Sequence, residues 1–259
     1  MSFRPIFQKI HQVFSGQFGI DPVRMIGGVR GLPKYICDLY HFRKKYIGSI
    51  ELFPCLHDWN EEGGYTRSEY FWQDLLVARW IFDKNPLKHV DIGSRIDGFV
   101  AHVASFREIE VFDVRPIGTK VPGIVFKQAD LMQPPDLVDY CDSLSCLHAI
   151  EHFGLGRYGD QIDPMGYQSG IANMARLLIP NGRFYLSTPI GYERVEFNAH
   201  RVFDPRIIKR CAEENGLRLD ELILVGADGN LSLPQLNDVV LQQLSQTRYN
   251  LGIFVFIKN

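Results

Sequence analysis

The sequence predicts a doubly wound α/β protein with a mostly parallel, seven-stranded sheet and an N-terminal helical cap. Three observations predict this fold. Short apolar strands alternate with helices from residue 88 onward, and the first strand ends in a glycine that leads into a helix. The chain has 259 residues, of which 46% are hydrophobic and 22% charged. A chain of this size buries a full core without disulfides or structural metal ions.

The N-terminal part lacks the alternation of strands and helices that begins at residue 88. Residues 1–50 contain the glycine pair Gly27-Gly28 and the segment Gly31-Leu32-Pro33, which predict one or two short helices broken by turns. After a polar loop over 51–65, Ser68 offers a cap to a helix that runs to about residue 82. The aromatic run 70–72 suits either the core of a cap helix or a lid. We expect residues 1–85 to form an N-terminal helical cap or lid region.

Residues 86–259 are expected to form the second domain, which carries the sheet. Runs rich in β-branched and aromatic residues predict the strands, and capping residues such as Asp204, Pro205 and Gly216 help to predict the helices. In such sheets, ligands bind beyond the carboxyl ends of the parallel strands. The predicted strands are 88–93, 108–114, 124–131, 141–148, 183–189, 217–226 and 249–259, and the helices between them are 98–106, 169–178 and 204–216.

Charge and cysteine usage exclude several classes of function. The net charge of −2 gives no overall basic field that would attract nucleic acid or anionic lipid. The local cluster Arg43-Lys44-Lys45 is interpreted as a solvated surface. No stretch approaches the roughly 18–20 apolar residues of a membrane span. Five cysteines without C-x-x-C spacing argue against a disulfide framework or a structural zinc site, and we expect a cytoplasmic protein.

The first three strand ends carry the residues of interest. Gly93 allows a tight turn and close approach of a ligand to the backbone, although G-x-x-x-x-G is neither a dinucleotide fingerprint nor a Walker A motif. Asp113 ends the second strand, where a carboxylate can accept hydrogen bonds from both hydroxyls of a ribose. Asp130 ends the third, where it could accept from an adenine amino group while Leu131 packs on the ring. A plain turn, a surface carboxylate and a helix cap are the alternatives at these three ends.

Together these strand ends resemble class I methyltransferases that use S-adenosylmethionine (SAM). The resemblance covers residues 88–259, about two thirds of the chain, and includes CDSLSCLHAIEHF and ANMARLLIPNGRFYLSTP. It implies a Rossmann-like fold, an antiparallel strand at the C-terminus and SAM as cofactor. By this resemblance, Asp91, Gly93, Ser94 and Gly98 would line the methionine end of SAM, Asp113 would bind the ribose, Asp130 and Leu131 the adenine, and Cys146 and Leu147 would lie near the ring and the sulfonium.

Arg95 departs from the family pattern, which has a second small residue at this position. Its side chain either swings away from the cofactor or pairs with the SAM carboxylate, a charge-assisted contact on the order of 1.5–3 kcal/mol. Altered or lost cofactor binding is the third alternative. The whole chain also resembles a bacterial group found near surface-polysaccharide genes.

A cluster of acid–base residues follows the fourth strand. If His148-Ala149-Ile150-Glu151-His152 begins a helix, then His148, Glu151 and His152 share one face. His152, or else His148, could act as a general base oriented by Glu151. The same three residues could instead bind a divalent metal, or they could have a structural role. The string also matches the H-x-x-E-H motif of inverted zinc peptidases, which requires a long buried helix.

Two long loops near this edge suggest where an acceptor would enter. They contain Arg157, Tyr158, Asp160 and Asp163 in one loop, and Glu193, Glu196, His200 and Arg201 in the other. The predicted function is SAM-dependent methyl transfer to a small polar acceptor, such as a hydroxyl of a sugar or nucleotide-sugar in surface-glycan biosynthesis. A non-catalytic scaffold of the same fold and a nicotinamide-dependent oxidoreductase are the alternatives. The acceptor, the use of a metal and the oligomeric state are left open.

Overall fold

The computed structural model describes residues 4–64, 66, 68–226 and 229–259. The chain forms two compact units, Met1–Tyr65 and Thr66–Asn259. The helix Glu69–Lys84 (α3) belongs to the second unit, since its buried residues Val77, Ala78 and Ile81 share a hydrophobic core with the sheet. The compact units therefore divide twenty residues before the predicted boundary at residue 85. A lid role for the N-terminal residues stays a prediction.

The first unit contains the helices α1 (Arg4–Phe18) and α2 (Pro22–Arg43) and a 3-10 turn at Asp58–Asn60. The prediction that Gly27, Gly28 and Gly31 break the helix is wrong, because all three lie inside α2. Close packing explains why a glycine stands at position 31 of this helix. A Cβ there would lie 2.0 Å from the carbonyl oxygen of Leu56, so only glycine lets the two backbones approach this closely.

The second unit is a sheet flanked by helices. The strands are β1 (His89–Ile92), β2 (Ile109–Asp113), β3 (Ile124–Gln128), β4 (Cys141–Leu147), β5 (Leu178–Ile190), β6 (Arg194–Glu196), β7 (His200–Val202), β8 (Leu217–Val225), β9 (Leu231–Ser232) and β10 (Asn250–Lys258). In the order β3-β2-β1-β4-β5-β10-β8-β9, the first five strands are parallel to one another, and β10 is antiparallel to both of its neighbours. The helices after α3 are α4 (Ala101–Ala104), α5 (Gly166–Leu177), α6 (Pro205–Glu214) and α7 (Asp238–Leu244).

This architecture confirms the predicted fold class. All seven predicted strands are present, and the described residues add the short edge strand β9 together with a separate hairpin of β6 and β7. The first two strands, β1 and β2, are buried along their whole length, as expected for parallel strands covered on both faces. None of the described helices is both long enough and apolar enough to cross a membrane.

Candidate active site

One cleft lies at the carboxyl ends of the parallel strands β1 to β4. Its cavity volume is about 270 Å³. The structure brings eight of the predicted site residues to its wall: Gly93, Arg95, Asp113, Asp130, Leu131, His148, Glu151 and His152. The parallel arrangement explains this convergence, since residues that follow neighbouring parallel strands meet at one edge of the sheet.

The backbone bend after β1 forms one wall of the cleft. Gly93 has a φ of +70°, which L side chains rarely adopt, and its N–H donates to the carbonyl of Phe112 at 2.9 Å. A Cβ on Gly93 would lie 3.1 Å from the Cβ of Ala149. A larger residue at position 93 would therefore strain the turn and crowd this wall.

A buried polar network lies beneath the bend and outside the cleft wall. The carboxylate of Asp91 accepts hydrogen bonds from the Ser94 backbone at 3.0 Å, from the Ser94 hydroxyl at 2.6 Å and from the Ser145 hydroxyl at 2.5 Å. The Ser94 hydroxyl oxygen also accepts from the Leu147 backbone at 3.1 Å. Asp91 and Ser94 thus hold the glycine bend against the fourth strand, and the ligand contacts that the resemblance implied for them stay a prediction.

Burial shifts two ionisations in this network. Burial raises the pKa of Asp91 to about 7 despite the three donors around its carboxylate. Burial also lowers the pKa of His89 to about 3, so this histidine is neutral and bonds Ser143 and Ser145 at 2.7 and 3.1 Å. In the folded protein, the carboxyl of Asp91 is therefore protonated below about pH 7.

The Asp91→Asn variant should become more stable relative to the wild type as the pH rises. An acid with a raised folded pKa loses stability between its unfolded pKa, near 4, and its folded pKa, at about 1.4 kcal/mol per pH unit. Asparagine does not titrate, so the difference in unfolding free energy should shift by about 2 kcal/mol between pH 5 and pH 7. His89, whose folded pKa is lowered, makes the free energy of unfolding rise with pH. It does so in both proteins, so its effect cancels in the difference between them. Urea unfolding at each pH measures this shift. The exposed Asp136→Asn variant is the control, and a difference independent of pH would contradict the assignment.

Three further predicted contacts also lie away from the cleft wall. Cys146 and Leu147 are buried in the hydrophobic core on either side of the sheet. Gly98 faces α3, because a Cβ there would lie 2.6 Å from a carboxylate oxygen of Asp74. These residues support the packing of the strand and turn, and their contacts with a ligand stay a prediction.

The carboxylate of Asp113 faces the cleft but is already paired. Its Oδ1 accepts from the backbone N–H and the Nε of Arg115 at 2.8 and 3.0 Å, and its Oδ2 accepts from an Nη of Arg115 at 2.6 Å. A carboxylate offers about four acceptor positions, so about one remains, on Oδ2. The Arg115 guanidinium also lies over the Tyr158 ring, 4.4 Å from its centroid. Arg115 would have to move before Asp113 could accept hydrogen bonds from both hydroxyls of a ribose.

Asp130 and Leu131 form the end of the cleft near β3. One oxygen of Asp130 accepts from the Met132 backbone at 2.9 Å, and its second oxygen accepts no hydrogen bond from the described residues. Leu131 is buried, and the Asn173 side chain donates to its carbonyl at 2.9 Å. This end therefore combines an apolar wall with an available carboxylate oxygen.

Arg95 lies at the mouth of the cleft. Its guanidinium donates to both oxygens of Asp97, at 3.1 and 2.8 Å, and its side chain is 60% exposed. It also lies 5.7 Å from the centroid of the Tyr70 ring. The side chain is thus bound to its neighbour at the surface and does not fill the cleft.

His148 is held between two carboxylates. Its Nδ1 bonds Glu151 at 2.8 Å, and its Nε2 lies 3.4 Å from Glu69, whose carboxylate accepts from the Tyr249 hydroxyl at 2.8 and 3.0 Å. Burial opposes the charged form, but Glu151 and then Glu69 outweigh it and raise the pKa of His148. Burial likewise opposes the charge on Glu151, yet His148 lowers the pKa of that carboxyl. Each group thus favours the charged form of the other.

The buried Nε2 of His148 makes no hydrogen bond to the described residues. The imidazole stacks on the Tyr70 ring with centroids 4.5 Å apart, which fixes its plane. Its side chain is only 5% exposed, so a polar ligand group is well placed to satisfy this donor.

His152 has the opposite charge state. Its Nδ1 lies 2.7 Å from the carbonyl of Ala199, which can only accept, so Nδ1 carries the proton. Burial lowers the pKa of His152 and outweighs the opposing effect of Glu151, and the nearby charge of Arg157 lowers it further. The ring is therefore neutral at pH 7, with an unprotonated Nε2. This Nε2 lies 3.9 Å from Glu151.

His148, Glu151 and His152 lie close together although the helix considered for residues 148–152 does not form. His148 has a φ of +51°, and only one 3-10 turn, Ile150–His152, follows it. The long buried helix of an H-x-x-E-H peptidase is absent from this described segment. Among the described residues, no group of three or more His, Cys, Asp or Glu side chains is arranged to hold a metal ion.

The loops supply the rest of the wall. Arg157, Tyr158, Asp160 and His200 line the cleft, whereas Asp163, Glu193, Glu196 and Arg201 lie outside its lining. Buried Arg201 instead donates to the carbonyls of Phe153 and Pro164 at 2.6 and 3.2 Å, which ties the loop together. Sequence reasoning missed Glu69, Tyr249 and Arg115. Of these, only Arg115 had a local signal, its position two residues after Asp113.

Comparison with known proteins supports the fold. A family profile described as "Caenorhabditis protein of unknown function, DUF268" matches residues 132–209, and no curated protein matches the sequence. The N-methyltransferase NodS from Bradyrhizobium japonicum, solved with S-adenosylhomocysteine, has a TM-score of 0.50 at 13% identity, covering 77% of this chain and 93% of its own.

Two other solved structures are similar to the same degree. A protein assigned as a sarcosine dimethylglycine methyltransferase from Galdieria sulphuraria has a TM-score of 0.50 at 12% identity, covering 71% of this chain and 86% of its own. The (4+2)-cyclase SpnF has a TM-score of 0.52 at 10% identity, covering 76% and 85%. The chain shares its fold with solved methyltransferases. Because a cyclase shares it too, the fold alone does not define the reaction.

Proposed function

We propose that the protein is a SAM-dependent methyltransferase that methylates an oxygen of a small polar acceptor. The observation that carries the proposal is that one cleft combines a glycine bend, two carboxylates at neighbouring strand ends and a neutral histidine with a free Nε2. Such a combination suits an adenosine-bearing ligand beside a group that can accept a proton.

The residues present fit SAM. The space beside Gly93 is open only because no Cβ stands there, and Asp130 and Leu131 offer an acceptor oxygen and an apolar face for an adenine. Asp113 would accept from the ribose, with Arg115 moving to release Oδ1. Arg95 is close enough to the mouth to exchange Asp97 for the carboxylate of the methionine moiety. When bound, SAM supplies an electrophilic methyl group.

His152 is assigned as the general base. Its Nε2 accepts the proton of the acceptor hydroxyl, and the bond from Nδ1 to Ala199 fixes the tautomer that makes this transfer available. His148 is charged and paired with Glu151, so it acts as a donor that positions the acceptor rather than as a base. The two histidines thus divide the roles of donor and base.

The acceptor is proposed to be a sugar or nucleotide-sugar hydroxyl, in surface-glycan biosynthesis and in the cytoplasm. Tyr158, Asp160, Arg157 and His200 give the acceptor side aromatic faces and polar groups of both charges. Sugars present many hydroxyls beside apolar C–H faces, which such a surface can bind.

A non-catalytic scaffold is the second candidate, favoured by the ion pair of Asp113 with Arg115, which occupies acceptor positions that a ribose would use. Calorimetry separates the two functions. We expect SAM and S-adenosylhomocysteine to bind with dissociation constants below millimolar, and transfer of a labelled methyl group to at least one of a panel of sugars, sugar phosphates and nucleotide-sugars. Absence of binding by both nucleosides at millimolar concentration would overturn the enzyme proposal in favour of the scaffold.

A further inference from the structure

The N-terminal helices carry a strong excess of positive charge that the cleft does not use. Residues 1–47 contain two acidic side chains, Asp21 and Asp38, against eight basic ones: Arg4, Lys9, Arg24, Arg30, Lys34, Arg43, Lys44 and Lys45. Asp21 caps α2 through the backbone N–H of Arg24, and Asp38 pairs with Lys34. Eight minus two leaves an excess of six positive charges in a chain whose net charge is −2.

The same region exposes an apolar stripe along α2. Met25, Val29, Leu32, Ile36 and Tyr40 recur at spacings of three and four residues, so they share one helix face, and all are exposed, Val29 by 73%. The face of α2 that packs within the first unit is a different one. It carries Gly28 and Gly31, which lie against His57 and Leu56. The stripe is therefore available for an external partner.

We propose that this α2 surface, defined as the apolar stripe together with Arg30 and Arg43-Lys44-Lys45, docks on the surface of an anionic lipid bilayer. Helices of this kind bury an apolar face at the boundary between headgroups and acyl chains while flanking cations contact anionic headgroups. The long stems of lysine and arginine allow their charges to reach the headgroups from beside the apolar face.

Charge favours a bilayer over a second copy of the chain. Two copies meeting through this surface would bring like charges together, which is unfavourable. A membrane surface rich in anionic lipid attracts the same charges, by about 1 kcal/mol per lysine or arginine near it. The cluster Arg43-Lys44-Lys45, interpreted above as a solvated surface, becomes part of a docking surface on this argument.

Co-sedimentation of the full chain with vesicles tests the proposal. We expect at least about tenfold stronger partition onto vesicles of equal parts phosphatidylglycerol and phosphatidylcholine than onto pure phosphatidylcholine, and weaker partition at high salt. Equal partition onto both kinds of vesicle, or none onto either, overturns the proposal.

Two double variants identify the surface responsible. Val29→Glu with Ile36→Glu should reduce partition at least about tenfold, and Arg30→Ala with Lys45→Ala by about fivefold for each cation removed. The matched control replaces two exposed apolar residues of the second unit, Leu87→Glu with Val239→Glu, and should partition like the wild type. Circular dichroism checks that each variant retains its helices.

Light scattering provides the contrary outcome. If the wild type self-associates, if the Val29 and Ile36 changes abolish that association, and if no vesicle binding is seen, then the stripe is an interface between copies and the proposal fails. Full vesicle binding by both double variants would equally overturn it. Vesicle binding and light scattering do not depend on methyl transfer, and binding of S-adenosylhomocysteine is measured separately. Failure of this proposal is therefore distinguishable from failure of the proposed function.

Discussion

Replacing His152 with alanine is expected to lower the rate of methyl transfer by about 10²–10⁴-fold, the usual contribution of a positioned general base. His152 is the histidine of the cleft that is neutral with an identified tautomer, because Nδ1 donates to Ala199 and the pKa is lowered by burial. Binding of S-adenosylhomocysteine should stay within a few-fold of the wild type. Single-turnover transfer of a labelled methyl group measures the rate, and calorimetry measures the binding.

The pH profile and chemical rescue distinguish a base from a structural residue. Wild-type activity should fall only as the pH drops below the ordinary histidine pKa of about 6.5, because the base form persists to lower pH when the pKa is depressed. Added imidazole should partly restore the alanine variant. The exposed His41→Ala variant is the control for loss of a histidine. A fully active His152→Ala enzyme would exclude the assignment.

Replacing Asp113 with asparagine should weaken the binding of S-adenosylhomocysteine by about 10- to 100-fold. Hydrogen bonds to a charged group contribute on the order of 1.5–3 kcal/mol, and the variant loses the carboxylate that would accept from the ribose. It also leaves the Arg115 guanidinium without its bidentate partner, 4.4 Å from the Tyr158 ring centroid. Calorimetric titration of the variant gives the change in affinity directly.

Two companion variants make this result specific. Arg115→Met removes the pairing partner but keeps the carboxylate, so it should change the affinity much less than Asp113→Asn. Asp83→Asn is the control for loss of an arginine-paired carboxylate, since Asp83 is exposed, bonds Arg79 and lies outside the cleft lining. Wild-type affinity in Asp113→Asn would show that this carboxylate does not bind the ribose.

The parts of the fold that follow from local sequence could be predicted. Alternating strands and helices with clear caps, such as Asp204 before α6, lead directly to the observed element order. The parallel-strand rule then predicts that Gly93, Asp113 and Asp130 meet at one edge of the sheet, and all three line the cleft. Their roles in binding stay predictions.

The parts that depend on tertiary contacts could not be predicted. The glycines of α2 were interpreted as helix breaks because the close approach of Leu56 to Gly31 has no local signal. Glu69 and Tyr249 are 180 residues apart in sequence and meet only through the fold. Likewise, nothing in the sequence shows that Asp91 faces Ser145 rather than the cleft.

A crystal structure of the protein with S-adenosylhomocysteine would show whether the cleft at the ends of β1 to β4 binds an adenosine-bearing ligand. We expect the ribose at Asp113 with Arg115 displaced from Oδ1, the adenine against Asp130 and Leu131, and the sulfur facing the side of the cleft that holds the Nε2 of His152. A nucleoside bound elsewhere, or a cleft that stays closed by the Asp113–Arg115 pair at saturating ligand, would contradict this expectation.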